Sequence, residues 1–144
     1  MGNYKIAVLE GDGIGPEIMR EGVKVLNAVE QRYPHRFDCI YEDFGAAAYR
    51  SHGHPFPQRA RDLCQKADGI LKGPVGVPNL NEEITIKLGN TLENLTIIEL
   101  RKMHDAFVNI RPVRLPLEFL EFSPLKPERL GQGIDILMMR ELTG

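Results

Sequence analysis

Three arginines stand at points where a chain can hold a guanidinium still. Arg101 follows Leu95-Thr96-Ile97-Ile98-Glu99-Leu100, with Ile97 and Ile98 four and three residues before it. At helical spacing that puts all three on one face, with the Asn94 amide a further turn back. Arg111 precedes Pro112, which disfavours a helical conformation and keeps Arg111 extended. Strand alternation then sends Asn109 and Arg111 to one side and Val108 and Ile110 to the other. Arg140 closes the apolar run Ile134 to Met139, where a buried guanidinium would need an anionic partner. A guanidinium meets a carboxylate as a planar fork with two parallel hydrogen bonds. Three such groups at element ends could clamp a dicarboxylate. Taken singly, each is more simply a solvated surface arginine.

A second feature is Gly11-Asp12-Gly13-Ile14-Gly15-Pro16-Glu17. Glycines let the backbone turn sharply and approach a ligand closely. A helix opening at Pro16 has free N–H groups and a positive dipole end, with Glu17 in its first turn. The spacing is Gly-x-Gly-x-Gly, one residue short of the dinucleotide fingerprint. No acid closes a second strand in the expected way unless Glu42 or Asp43 is recruited. A tight strand-to-helix turn with no ligand accounts for the pattern equally well.

Other polar groups offer less. His52 and His54 lack a third metal ligand at suitable spacing. His104 and Asp105 lie beside Arg101 in a helical context and read as solvated surface. Cys39 and Cys64 are too few for a disulfide scaffold, and a reducing cytoplasm is the simplest setting. The charge balance is near even, 18 Lys and Arg against 20 Asp and Glu. It gives no electrostatic case for nucleic acid or an acidic membrane, and no apolar run reaches membrane length.

The elements that must position these groups follow from periodicity. Lys5 to Leu9 is a short apolar strand ended by the glycine turn. Ile18, Met19, Gly22, Val25, Leu26 and Val29 recur at helical spacing until Pro34. Phe37 to Phe44 reads as a second strand, Ala46 to Tyr49 and Pro57 to Lys66 as helices, and Gly69 to Gly73 as a third strand. This alternation predicts an α/β fold with a parallel or mixed sheet and flanking helices. Pro74 to Glu93 reads as a long loop with a short element around Ile84 to Leu88, and loops of that length are often functional. A helix from Leu95 to Ala106, a strand from Phe107 to Leu115, an irregular stretch from Pro116 to Gly133 and a buried strand from Ile134 to Met139 complete the chain. The expected division is residues 1–106 and 107–144.

Several ordered motifs resemble one family. Lys5-Ile6-Ala7-Val8-Leu9-Glu10-Gly11-Asp12-Gly13-Ile14-Gly15-Pro16-Glu17 is similar to the opening of the β-decarboxylating dehydrogenases, which act on 3-isopropylmalate, isocitrate, homoisocitrate and tartrate. Phe44-Gly45-Ala46-Ala47, Pro55-Phe56-Pro57 and Leu71-Lys72-Gly73-Pro74-Val75-Gly76-Val77-Pro78 resemble its next segments. Leu100-Arg101-Lys102, Asn109-Ile110-Arg111-Pro112-Val113 and Met139-Arg140-Glu141-Leu142-Thr143-Gly144 follow in order and spacing. The resemblance covers the whole chain and implies that residues 1–106 are the first part of a cofactor-side α/β domain and 107–144 the start of a second domain for dimerisation and substrate.

It implies that Arg101, Arg111 and Arg140, with Asn94, Ile97 and Ile98, bind a 2-hydroxy diacid. It implies that Ile14, Gly76, Val77, Pro78, Thr91 and Glu93 bind NAD or NADP. Magnesium or manganese would polarise the keto oxygen as a Lewis acid. No residue of this chain matches the family's catalytic tyrosine and lysine or its metal aspartates. The expectation is therefore an N-terminal portion, inactive alone and prone to self-association. Glu10 stands where the family commonly has proline or a small residue. The loop Asn79 to Leu92 lacks the tryptophan–acid pair of isopropylmalate enzymes, and Asn94 stands where they tend to carry glutamate. Ile97 and Ile98 suit an apolar substituent and favour 3-isopropylmalate, with isocitrate and tartrate open. The competing readings are a non-catalytic dicarboxylate-binding or assembly module derived from the family, and an unrelated α/β domain.

Overall fold

The structure is a computed structural model, and it describes residues 2–142. Contacts divide the chain into two compact units, Met1–His104 and Asp105–Gly144.

In the first unit β1 (Gly2–Leu9), β2 (His35–Glu42) and β3 (Gly69–Lys72) form a parallel sheet in the order β2-β1-β3. The central strand is the most apolar, and Ala7, Val8 and Leu9 are fully buried. Strands buried on both faces need apolar side chains at consecutive positions. Ile6 pairs with Gly69 and Val8 with Leu71, whereas Ala7 pairs with Ile70 and Leu9 with Lys72. Paired residues share a face, so alternation gives the sheet two faces with different partners.

One face takes α1 (Gly15–Arg32). Its Gly22 comes so close to the sheet that a Cβ there would touch Leu71 Cδ2 at 3.4 Å. The other face carries the core of Ala7, Leu9, Phe44, Phe56, Ala60, Cys64 and Leu100. Ala60 and Cys64 come from α3 (Gln58–Lys66), while Ala46–His52 forms the short α2 before it. The Phe44 and Phe56 rings meet edge to face at 5.1 Å between centroids, an arrangement the ring quadrupoles favour.

The stretch read as a loop contains a full helix, α4 (Leu80–Leu88). Its periodicity was hard to see because it is mostly solvated, with only Ile84 buried. The next helical segment opens at Leu92, passes through a π-type turn at Asn94–Ile98 and continues as α5 (Glu99–Met103), ending short of Ala106. Buried Thr96 donates its hydroxyl to the Leu92 carbonyl, and such a bond one turn back bends helices. The guanidinium of Arg61 pairs with the Glu99 carboxylate, donates to the Phe56 carbonyl at 2.8 Å and lies 5.1 Å from the Phe56 ring centroid. These contacts dock α5 on α3.

The second unit is an antiparallel ribbon of β4 (Val108–Leu115) and β5 (Ile134–Glu141). The connection is more regular than its prolines suggested, with a 3₁₀ turn at Leu117–Phe122 and a one-turn helix α6 (Pro127–Leu130). The expectation of a buried last strand is corrected. From Asp135 onward β5 is exposed, including Ile136, Leu137, Met138 and Met139. An apolar run reports what needs covering, and within this unit nothing covers it.

Candidate functional site

At the carboxyl ends of β1 and β3 three segments meet without room for side chains. A Cβ on Gly11 would lie 2.1 Å from the Pro74 carbonyl oxygen, and one on Gly15 or Gly73 would lie 2.1 or 1.9 Å from that of Glu10. Asp12 N–H donates to the Pro74 carbonyl at 2.8 Å, and Gly15 N–H to the Asp12 carbonyl at 2.9 Å. The first amides of α1 are likewise used locally, with Glu17 and Ile18 donating to the Ile14 carbonyl. The glycine motif is therefore a packing device, and the helix end it opens is not an anion cradle.

The sequence reading passed over Asp12. Its side chain is buried and accepts three backbone hydrogen bonds, from Ala46 at 3.0 Å, Ala47 at 3.1 Å and Gly76 at 3.0 Å. The first two belong to the first turn of α2, whose N-cap is Gly45 and has no side chain to offer. An acid between two glycines was the available signal.

Beyond Gly76 opens a cleft of about 780 Å³ between the segment after β3, helix α4 and the start of the π-type turn. Its walls include Val75, Gly76, Glu82, Thr85, Ile86, Thr91, Glu93 and Ile97. It brings together Gly76, Thr91 and Glu93 of the expected cofactor residues with Ile97 of the expected substrate residues. Val77, Pro78, Asn94, Ile98 and Ile14 are not among its lining residues, and Ile14 is 60% exposed. Thr91 also has a structural task. Its hydroxyl oxygen accepts from Asn94 N–H at 3.2 Å, and the Asn94 amide donates to Asn90 at 2.8 Å. Both residues start the helical segment.

Arg101 is half-buried in α5 and forms no ion pair among the described residues. Lys72, on the core-facing side of the sheet, lies close enough to feel it. Burial, and then the Arg101 charge, hold the Lys72 ammonium below the usual lysine range. Its ammonium donates to the Gly73 carbonyl at 2.7 Å. Neither Lys72 nor Arg101 forms an ion pair among the described residues. Lys72 was visible in the sequence only as part of the Leu71-Lys72-Gly73-Pro74 motif.

In the second unit Asn109 stands opposite Arg140 and Arg111 opposite Met138. Alternation places Asn109, Arg111 and Arg140 on one face. Arg111 Nε donates to Asn109 Oδ1 at 3.0 Å. Arg111 and Arg140 are both exposed, so the buried setting expected for Arg140 is corrected. Among the described residues no group of three His, Cys, Asp or Glu side chains could hold a metal ion.

Residues 5–144 match the isocitrate/isopropylmalate dehydrogenase family. The chain belongs to that family. It is 42% identical over 145 residues to the 3-isopropylmalate dehydrogenase of Salmonella typhimurium, covering 99% of this chain and 38% of that relative. To the enzyme of the same name from Carboxydothermus hydrogenoformans it is 44% identical over 146 residues, covering 99% and 37%. The chain thus spans well under half the length of the curated relatives it matches. Among solved structures it is similar to a β-decarboxylating dehydrogenase from Thermococcus kodakarensis, with TM-score 0.64, 27% identity and coverage of 97% of this chain and 34% of that one. The isocitrate dehydrogenase of Methylococcus capsulatus, at 24% identity and TM-score 0.67 over 96% and 34%, shares the fold. In this chain the opening glycine motif is spent on close backbone packing.

Proposed function

We propose that this chain supplies the N-terminal substrate and cofactor groups of an NAD(P)-dependent dehydrogenase that oxidises and decarboxylates a 2-hydroxy diacid, 3-isopropylmalate before isocitrate or tartrate. The observation that carries the reading is the cleft that gathers Gly76, Thr91, Glu93 and Ile97, with Lys72 at the end of β3 and Arg101 in α5 on the elements that lead into its walls.

The cleft is concave and roomy, lined by Val75, Ile86, Leu92 and Ile97 and about equally by the polar Asn81, Glu82, Thr85, Thr91 and Glu93, and is read as the dinucleotide site. A bound nicotinamide would supply the hydride acceptor for the hydroxyl-bearing carbon. Gly76 brings backbone rather than side chain to the wall. Ile97 presents an aliphatic surface where a substrate alkyl group would lie, while Arg101 and Lys72 face its carboxylate. By the family resemblance Arg111, oriented by Asn109, and Arg140 on the same ribbon face are further candidates to bind a substrate carboxylate. Holding a carboxylate fixes the substrate's orientation, which lowers the entropic part of the barrier.

The exposed apolar faces of the β4–β5 ribbon support self-association, since an isolated two-stranded ribbon is marginal in water. By itself the 144-residue chain binds but does not turn over. Titration calorimetry with 3-isopropylmalate, isocitrate and tartrate, alongside absorbance at the NADH band, tests this. Binding of 3-isopropylmalate that weakens at least tenfold in Arg101→Lys and in Arg140→Lys, without NADH formation, supports the reading. Equal affinity in wild type and both variants would reduce the arginines to surface charge.

A further inference from the structure

We propose that Asp12 is a positioning residue for the cleft, its carboxylate holding the Gly76 wall in register with the start of α2. The proposal rests on the reading of the cleft as a dinucleotide site.

Asp12 collects donors from two segments remote in sequence, Ala46-Ala47 and Gly76. Its Oδ2 accepts from both Ala46 and Gly76, so the cleft wall and the helix start share one oxygen atom. Hydrogen bonds from N–H groups to an ionised acceptor are about twice as strong as neutral ones. No cation pairs with Asp12 among the described residues, so these amides are what offsets the buried charge.

The carboxylate is itself over-determined. Its backbone is tied to Pro74 and Gly15, and a Cβ on Gly45 would lie 2.5 Å from Oδ2. Gly76 is the opposite case. It sits at φ +143°, with nothing within 4 Å of where a Cβ would be. No packing atom lies where a side chain would be, and the hydrogen bond from its N–H to Asp12 is the contact that ties this position to the β1–α1 turn. Capping α2 requires only the bonds to Ala46 and Ala47. The third bond has a different consequence, which is to set one wall of the cleft from behind.

Asp12→Asn keeps shape and volume but turns one acceptor oxygen into a donor facing amide N–H groups. Amide exchange followed by NMR, with NAD+ and 3-isopropylmalate titrations, tests the proposal on the whole chain. The expected result is exchange at Gly76 at least a hundredfold faster, while Ile6 to Val8 in β1 stay protected. NAD+ affinity falls at least tenfold and 3-isopropylmalate affinity stays within twofold. Gly76 exchange and NAD+ affinity both unchanged in a folded variant would overturn it. If wild type takes up no NAD+ yet Asp12→Asn releases Gly76, the wall-holding role is supported and the dinucleotide reading falls. Should the variant not fold, the wild-type chain decides. A scalar coupling across the hydrogen bond from Gly76 nitrogen to the Asp12 side-chain carboxyl carbon supports the proposal. Its absence beside a detectable Ala46 coupling overturns it.

Discussion

Gly73→Ala should be among the most damaging one-carbon changes in this chain. The added Cβ would lie 1.9 Å from the Glu10 carbonyl oxygen, 2.9 Å from its carbon and 3.4 Å from Gly15 Cα. All three are backbone atoms, so no side-chain rotation relieves the clash. Ordinary carbon contacts lie at about 3.5–4.0 Å, so the β1–α1 turn or the Pro74 segment must recede by more than 1 Å. The Gly73 amide also donates to Leu9 at 2.8 Å, which ties the moving segment to the sheet. Overpacking typically costs about 1–3 kcal/mol, and an unyielding backbone obstacle places this case near about 3 kcal/mol. For a domain of this size that lowers Tm by roughly 10–20 °C. Gly22→Ala is the control. Its Cβ meets only the flexible end of Leu71 at 3.4 Å, and alanine in a helix interior gains up to about 1 kcal/mol over glycine. Thermal unfolding followed by circular dichroism should rank Gly22→Ala at or above wild type and Gly73→Ala far below. A Gly73→Ala midpoint within 2–3 °C of wild type, on the order of 1 kcal/mol or less, would refute the argument that the glycines serve close backbone approach.

Lys72→Gln should weaken 3-isopropylmalate about tenfold or more, the loss of one hydrogen bond to a charged group. In the wild-type chain at alkaline pH, binding should take up protons, because an anion between Lys72 and Arg101 reverses the depression of the Lys72 ammonium. Calorimetry in buffers of different ionisation enthalpy reads both, and proton release would contradict them. Burial pushes the Cys64 thiol up to about 11 from an ordinary 9.0. The unfolded chain thus loses this proton first, and the stability present below pH 9 should decline between pH 9 and 11. At about 1.4 kcal/mol per unit, the loss is on the order of 3 kcal/mol, and Cys64→Ala should flatten that limb of an unfolding-against-pH curve. Sedimentation equilibrium should find the chain self-associated, and Leu137→Lys with Met139→Lys on the ribbon should shift it toward 16.3 kDa; a wild-type monomer would contradict the covering argument.

Where the chain must bury apolar residues, the sequence was easy to read. The Lys5 to Leu9 run became the central strand because nothing but a buried position suits Ala7-Val8-Leu9. Helix α4 was read only as a short element because Leu80–Leu88 buries one residue, which leaves little periodicity to see. The π-type turn was invisible because Thr96 acts on its own helix backbone, a choice no spacing rule encodes. Ile134 to Met139 misled in the opposite sense. Its hydrophobicity was taken as burial, whereas within its own unit the strand stays open. In the candidate site, Gly76, Thr91, Glu93 and Ile97 came from the family resemblance, and the cleft gathers them. Asp12 and Lys72 were passed over because their significance lies in contacts with segments 34–64 residues away and in an unbalanced pair of charges.

The central claim is that one cleft takes the dinucleotide and the adjoining cations take the diacid. Chemical-shift mapping of the 15N-labelled chain, titrated with NAD+ and 3-isopropylmalate separately and together, tests it most directly. The account predicts that NAD+ moves Gly76, Thr91, Glu93 and Ile97, that 3-isopropylmalate moves Lys72 and Arg101, and that each ligand tightens the other. Saturating additions of both that leave these residues unmoved, or that move only the amides of the Gly11 to Gly15 turn, would contradict it.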